Sequence, residues 1–544
     1  MTRWGMVVDL GRCVGCQTCT IACKMENGLP PGTLWRTVLD VESGSFPDVR
    51  RTFVPLTCMH CADPPCYDAC PTTATRVRAD GIVWIVDELC IGCGSCVVAC
   101  PYEARHLVPA ERFYFGAATA PELATYDPGR VGICTKCEFC AHKVDAAPAG
   151  AGPGARPGVA REWTPACASS CIADAIVFGD LEDPESPPAR RLRSGGVPER
   201  MLEHLGTAPS VYYLNAKPED ERPPVRQHSW HGLAVANFFC GTTGVGLYAW
   251  AALLGWGAGQ PRPLLAGWAG LSAGAVQTAP LLSWGSLAAR LDAGIAAGLL
   301  GPLLVAVGLL AVGAEAGRPL RGLNVFRNLR RSWMSRESAC GIVFMLLAVL
   351  DTLLWRSPWV QGAAALAGLG VAFSQGMVLL KAKGVPAWSV PPMPSHFLAS
   401  ALAAGAGALL LLYAAAGPAA GPPAALLEAA LISALASWAV WRRYLATEPR
   451  TRTFRRAVAE LTQWPVRLEV EGLGHGLPVL LLAAGLLAPS VAVPCAAAAG
   501  VALVAGNLWA KRALILRASF RVDLFDRFGA RASAMPAAPA ARAA

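Results

Sequence analysis

Charge is scarce in this chain: 16% of its 544 residues are Asp, Glu, Lys or Arg, against 54% hydrophobic. Soluble domains carry about a quarter charged residues, so a wholly soluble protein is excluded, and the mean hydropathy of +0.39 agrees. Histidine is scarcer still, with 8 in all. Those near apolar segments, His228, His231, His396 and His475, stand at segment ends, whereas b-type haem takes paired histidines on helices; no haem is expected. The stretch MTRWGMVVDLGRC has neither an apolar signal core nor a twin-arginine pair, so export would need a partner's signal. No nucleic-acid motif is present, and no nucleic-acid partner is expected. The basic excess lies in the apolar part of the chain, where it reads as loops facing one side of a membrane.

Cysteine, by contrast, is plentiful and patterned. Of 20 cysteines, sixteen fall into four groups within the first 171 residues. The clearest is CIGCGSCVVACP, with Cys90, Cys93, Cys96 and Cys100. The same spacing recurs at Cys13, Cys16, Cys19 and Cys23. A wider variant stands at Cys58, Cys61, Cys66 and Cys70, and a split set at Cys137, Cys140, Cys167 and Cys171. Three close thiolates can wrap one face of a 4Fe-4S cubane while the fourth points to a second cluster. Zinc prefers two separated CxxC pairs in tetrahedral geometry and has no place for a third nearby cysteine. Disulfide frameworks belong to small secreted domains. Sixteen ligands at four per cubane imply four 4Fe-4S clusters.

In chain order, MVVDL reads as a strand running into the first group, and Arg51 to Leu56 is also β-prone. Pro64-Pro65 makes a turn that accommodates the wider gap. Gly81 to Cys90 reads as a strand leading into the third group. Residues 144–160 form a Gly, Ala and Pro-rich insertion expected to be a flexible loop. VYYLNAKPEDERPPVRQ reads as a closing strand followed by a connector. The expected division is a soluble domain over 1–225, a linker over 226–231, a membrane domain over 232–515 and a basic, partly disordered tail over 516–544. A spanning helix needs about 20 apolar residues. Nine segments qualify: 232–257, 264–284, 293–314, 338–355, 360–380, 397–416, 423–441, 474–489 and 491–510. The second is the weakest, because it contains Gln277 and Pro280.

CMHCADPPCYDACP, CIGCGSCVVACPYEA and KCEFCAHKVD, followed by PACASSC and VFGDL, resemble the iron-sulfur subunits of the dimethyl sulfoxide reductase family over residues 3–215. The resemblance implies an α+β fold of two ferredoxin-like halves related by pseudo-symmetry. It also implies electron transfer between a molybdopterin catalytic subunit and a membrane anchor. Carried over motif by motif, it pairs the first group with the fourth and the second with the third. One cluster would take Cys13, Cys16, Cys19 and Cys171, and its neighbour Cys137, Cys140, Cys167 and Cys23. The other pair would take Cys58, Cys61, Cys66 and Cys100, then Cys90, Cys93, Cys96 and Cys70. Ile172 departs from the usual proline. Cys134 is additional: a spectator thiol, or a ligand exchanging with a neighbour.

GRPLRGLNVFRNLRRSWMSRES and PAWSVPPMPSHF resemble the eight-helix anchor of the same family, so an all-α polytopic membrane domain of eight, or at most nine, helices is expected. In such anchors the first loop lies beside the iron-sulfur subunit and lines the quinol site, which requires an even number of crossings before residue 315. The family's usual histidine is Glu315 here, and Arg321 matches a family arginine; with Arg336 these are the candidate quinone residues. The alternative is that the arginines are interfacial charges. The diffusible partner would be menaquinone or ubiquinone. With eight spans the basic loops share the side of the cluster domain, which the positive-inside rule makes cytoplasmic, on a bacterial or archaeal inner membrane. Asp351 and Glu428 stand in or beside apolar segments, as proton-path residues or interhelical hydrogen bonds. The reading is a non-catalytic electron-transfer and anchor subunit, with a redox-driven ion pump and a purely structural anchor as alternatives.

Overall fold

The computed structural model describes residues 2–148, 152–194, 196–216, 225–254, 293–354, 357–416, 422–448, 451–523 and 527. The candidate segment 264–284 and most of the tail lie outside them.

Strand β1 (Trp4–Asp9) is buried along nearly its whole length, as the unbroken apolar run GMVV requires of a central strand. It pairs antiparallel with β8 (Ile176–Asp180) and parallel with β10 (Val211–Leu214), which is edged by β9 (Pro198–Glu199). Three hairpin-like pairs stand apart from this sheet: β2 (Thr37–Ser43) with β3 (Arg50–Leu56), β4 (Thr75–Val77) with β5 (Val83–Ile85), and β6 (His106–Leu107) with β7 (Cys134–Thr135). Short helices carry cysteines between them: α1 (Thr18–Glu26) bears Cys19 and Cys23 one turn apart, α2 (Pro65–Ala69) bears Cys66, and α3 (Ser95–Ala99) bears Cys96. Then come α4 (Ala120–Thr125), α5 (Ala141–Asp145), α6 (Ala166–Ser169) with Cys167, and α7 (Pro187–Ser194). The strand expected over Gly81 to Cys90 is shorter than its pattern. It stops at Ile85, and Asp87–Leu89 form a 3-10 turn that swings Cys90 inward.

Both ends of the 144–160 insertion are folded onto the domain. Val144 is buried in α5, and Gly158 donates its N–H to Thr164 Oγ1 at 2.7 Å.

Beyond Trp230 the chain is helical: α8 (Gly232–Leu253), α9 (Ala293–Glu315), α10 (Trp333–Leu353), α11 (Pro358–Leu380), α12 (Met393–Ala416), α13 (Ala424–Leu445), the amphipathic α14 (Arg452–Thr462), α15 (Leu477–Leu487) and α16 (Ala492–Arg512). Wide-turn π segments, Leu468–Gly476 and Ala513–Arg517, precede α15 and follow α16. Among the described residues eight helices are long and apolar enough to cross a membrane. Lipid gives helices no hydrophobic reason to associate, so close approach of small residues must hold them. A Cβ on Gly246 of α8 would lie 1.8 Å from the Ala401 carbonyl oxygen of α12, so the two backbones are in contact there.

The residues read as a linker, 226–231, are a wedge between the two domains. Trp230 is buried, stacks on Trp388 at 5.8 Å and donates its indole N–H to the Cys93 carbonyl at 3.1 Å. The start of the tail also returns to the soluble domain. Arg226 and Phe520 form a β-bridge, Val522 joins the core of the cysteine-bearing domain, and Arg527 pairs with Glu103 at 3.2 Å.

Candidate iron-sulfur and quinone sites

Twelve of the sixteen grouped cysteines are buried and three half-buried, while Cys16 of the first group is exposed. In the third group Gly92 and Gly94 have φ of +69° and +73°, the left-handed region that glycine enters without cost. At Gly92 there is a second reason for glycine. A Cβ would lie 2.2 Å from the Gly132 carbonyl and 3.0 Å from Gly317 of the loop after α9. The tightest turn of the third group is therefore also where the membrane domain docks.

One pocket is lined by Cys70, Cys90, Cys93, Cys96 and Cys134. It brings the last thiol of the second group to the first three of the third. The remaining thiols influence one another across groups in the same way: Cys13 with Cys171, Cys23 with Cys137, Cys140 and Cys167, and Cys61 and Cys66 with Cys58 and Cys100. Among the described residues no three His, Cys, Asp or Glu side chains converge tightly enough to hold a single metal ion. These thiol sets are wider than a mononuclear site, and a donor set of four thiolates fits a cubane.

Burial pushes these thiols up: Cys66 and Cys93 to about 12, and Cys90 and Cys137 to about 11, with neighbouring thiols adding to the shift. Thiolates in such surroundings need positive charge nearby, and two buried arginines supply it. Arg36 donates to Cys167 Sγ at 3.3 Å and to Met6 Sδ at 2.9 Å. Burial works against its charge, yet Cys167, Cys19 and Cys137 hold its pKa above the ordinary value. Arg105, bonded to Thr75 Oγ1 at 3.1 Å, does the same beside Cys66, Cys96, Cys134 and Cys58. His60 stacks on Phe139 and accepts the Val83 N–H at 3.1 Å. Burial and then the charges of Lys136 and Arg105 hold it well below the usual histidine range, hence neutral. Spacing arguments found none of these residues: Arg36 and Arg105 lie outside the cysteine motifs, and His60 and Lys136 stand inside them without being ligands of the expected type.

Cys134 sits with the third set rather than with its sequence neighbours Cys137 and Cys140. It is buried, its backbone N–H points at Cys90 Sγ at 3.5 Å, and its thiol hydrogen-bonds Cys96, which favours the Cys96 thiolate.

Where the domains meet, the loop after α9 binds the third group through its backbone. Arg318 donates its N–H to the Ile91 carbonyl at 3.0 Å and Nε to the Val131 carbonyl at 2.8 Å. Arg321 donates to the Asp87 and Cys90 carbonyls at 2.7 and 3.3 Å, and Asn328 to the Cys70 carbonyl at 2.7 Å. Glu315 accepts the His231 N–H at 3.0 Å. The seam encloses a cavity of about 220 Å³ whose walls include Ser95 and Val98 of the cysteine domain, Trp230, and Trp333, Met334, Arg336, Val378 and Lys381 of the membrane domain. An apolar cavity of about 150 Å³ takes benzene, so this one has room for a substituted six-membered ring. Of the three candidate quinone residues, Arg336 lines it. Glu315 and Arg321 do not, because both are engaged in holding the seam together.

A carboxylate not read from the sequence lies behind this cavity. Glu337, almost fully buried, accepts from Asn237 Nδ2 at 2.8 Å and Gln375 Nε2 at 3.0 Å. It stands one helical turn beyond Met334, and Gln375 one turn before Val378. Its signal is a glutamate near the start of an apolar helix, hidden because the apolar run itself starts only at residue 338 whereas α10 starts at Trp333. Asp351 is a buried partner of Tyr248 at 3.1 Å, whereas Glu428 lies exposed on α13.

The comparisons with known proteins agree with this geometry. Residues 49–112 match a family model described as a 4Fe-4S dicluster domain. The chain is similar to a selenate reductase subunit of Mesobacillus selenatarsenatis, with 38% identity over 228 residues, 39% of this chain and 72% of the relative. It is also similar to the menaquinone reductase iron-sulfur cluster-binding subunit of Nitratidesulfovibrio vulgaris, at 33% identity over 40% of this chain and 89% of the relative. A third relative is the arsenate respiratory reductase iron-sulfur subunit of a Shewanella species, at 32% identity over 39% of this chain and 97% of the relative. Through its N-terminal 40% or so, the chain belongs to the family of iron-sulfur electron-transfer subunits of molybdopterin reductases. That domain is followed by a helical region with eight candidate membrane spans.

Proposed function

We propose that the chain is a fused electron-transfer and membrane-anchor subunit that relays electrons between membrane quinone and a separate molybdopterin catalytic chain through four 4Fe-4S clusters. The observation that carries this reading is the cavity at the seam, which is walled on one side by α3, bearer of Cys96, and on the other by membrane helices. The sixteen grouped cysteines would hold the clusters in the four cross-linked sets read from the sequence. When bound, the clusters supply one-electron carriers whose potentials the surroundings tune.

The chain's own residues do the rest. Trp230 and Trp333 bound a slot for a flat ring, and Arg331, Arg336 and Lys381 line it with cationic donors for a quinone oxygen. Arg331 is braced by Asp68 at 3.2 Å. Quinol must also lose protons, and Glu337, held by two amides one turn deeper, is the acceptor. Glu315 and Arg321 serve as struts of the seam. That a relative bears the name menaquinone reductase supports a quinone as the diffusible partner. The basic loops at Arg318, Arg321, Lys383 and Arg442 share the side of the cluster domain, which supports a cytoplasmic position for it.

Anaerobic purification, iron and sulfide analysis, and EPR on adding a menaquinol analogue test the reading. Roughly sixteen irons per chain, at four per cubane, and cluster signals that respond to the quinol and stop with a quinone-site inhibitor are expected. A full iron complement that neither quinol reduces nor quinone oxidises would overturn it.

A further inference from the structure

The second half of the membrane domain contains a polar cavity that quinone chemistry does not use. Its walls include His396 and Ser400 of α12, Ser437 of α13, His475 of the π segment, and Asn507 of α16. His396 is 1% exposed, and neither of its ring nitrogens has a partner. Asn507 gives its Nδ2 to Thr242 and Thr243 of α8 at 3.0 and 3.1 Å, which leaves a buried Oδ1 without a donor. His475 Nδ1 lies 2.6 Å from the Val470 carbonyl and therefore carries the hydrogen. Its basic nitrogen is then Nε2, 3.3 Å from Ser437 Oγ.

Buried polar groups are almost always satisfied by protein or by ordered water. This space has room for about one water molecule, with three or more polar partners around it. Two further features belong to the same place. The π segments Leu468–Gly476 and Ala513–Arg517 flank it, and π turns concentrate at functional sites. Gly474 and Gly506 let the helices touch beside it, since a Cβ on Gly474 would lie 2.8 Å from Gly506 Cα.

We propose that this cavity is a proton-exchange site within the membrane, in which one internal water joins His396, His475 and Asn507. The step is proton transfer alone. With both ring nitrogens of His396 protonated, the water takes one of these protons and passes one of its own to His475 Nε2, so one positive charge moves from ring to ring and only N–H and O–H bonds change. The charged groups around it are Lys511, whose Nζ donates to Ser400 Oγ at 2.9 Å and lies 3.4 Å from the Phe397 ring centroid, and Glu471, one turn before His475 and paired with Arg442 and Arg467 at 3.1 and 3.3 Å. His396 and Lys511 stand near the helix ends on the cysteine-domain side. Toward the opposite side the helices close on an apolar cluster that includes Leu409, Leu410, Leu426, Leu427 and Leu482.

The test uses the full chain with nitrogen-15-labelled histidine in lipid vesicles, and solid-state NMR of the ring nitrogens assigned through His396→Phe and His475→Phe. Both rings should show cross peaks to water and exchange their N–H protons into D2O within minutes. Asn507→Leu, which fills the cavity, should remove the cross peaks and slow exchange by about tenfold or more. Rings without water contact, or protected from exchange for a day, overturn the proposal on the unmodified protein alone, whether or not the variant inserts. This outcome is independent of any quinone measurement.

Discussion

The two halves of this chain bury polar groups by opposite rules. In the cysteine domain, full charges are buried, Arg36 and Arg105 among thiols and Lys136 with the Cys137 carbonyl at 2.7 Å. In the membrane domain, buried polar side chains mostly meet neutral partners, as in Asn237–Glu337–Gln375, Tyr248–Asp351 and Asn507–Thr242. A low-dielectric interior makes an isolated charge very costly, so a buried arginine is tolerable only where negative charge is guaranteed. A set of metal-bound thiolates guarantees it. The membrane helices use hydrogen bonds instead, and even the wholly buried Lys511 gives its Nζ to Ser400 Oγ.

The largest effect should come from removing a ligand on the charged side. Cys93→Ser should cost about four of roughly sixteen irons, measured by iron analysis and EPR. An unchanged iron content would mean that Cys134 substitutes as ligand. Next is the neutral side. Glu337→Gln keeps the hydrogen-bonding shape but cannot accept a proton, and quinol oxidation should fall by about tenfold or more with iron retained. If turnover is untouched, Glu337 is structural.

Removing a buried cation should then shift a potential without loss of metal. Arg36→Met takes positive charge from beside Cys19 and Cys167, which favours the oxidised, less negative state. Midpoint potentials of the first and fourth sets should fall by tens of millivolts, a small part of the range open to such centres, by redox titration followed by EPR. Gly92→Ala should weaken the seam by about 1–3 kcal/mol through overpacking, seen as earlier thermal loss of the clusters.

The smallest effect concerns pH. Burial and then Glu138 raise Asp87 to about 6 from 3.8. A raised carboxyl favours the folded state while protonated, so this contribution is present below about pH 4 and is lost as pH rises through about 6. Asp87→Asn should flatten stability across that window in a denaturation series.

Legibility in the sequence follows the same division. Within three of the four groups the cysteines lie a few residues apart, so spacing alone made their pattern visible, and β1 and β10 were visible as apolar runs. The apolar lengths announced the membrane helices. What stayed hidden is what three dimensions bring together. Residues 226–231 looked like a spacer because Trp230 has its partners, Cys93 and Trp388, more than a hundred residues away in either direction. Arg321 and Glu315 were read as quinone residues from their place in the chain, and only the fold shows that Arg321 reaches the Asp87 and Cys90 carbonyls while Glu315 accepts the His231 N–H. His396 and His475 looked like segment ends because their shared cavity is assembled from helices far apart in the chain.

The most direct measurement is electron exchange between the full chain and a menaquinone analogue, followed by rapid-freeze EPR in both directions, for the unmodified protein and for Ala382→Trp, which fills the seam cavity from the Ala382 position in its wall. Exchange in at least one direction, lost in Ala382→Trp with all iron retained, is the predicted result. Exchange that survives the filled cavity, or none in either direction, would contradict a quinone site at the seam.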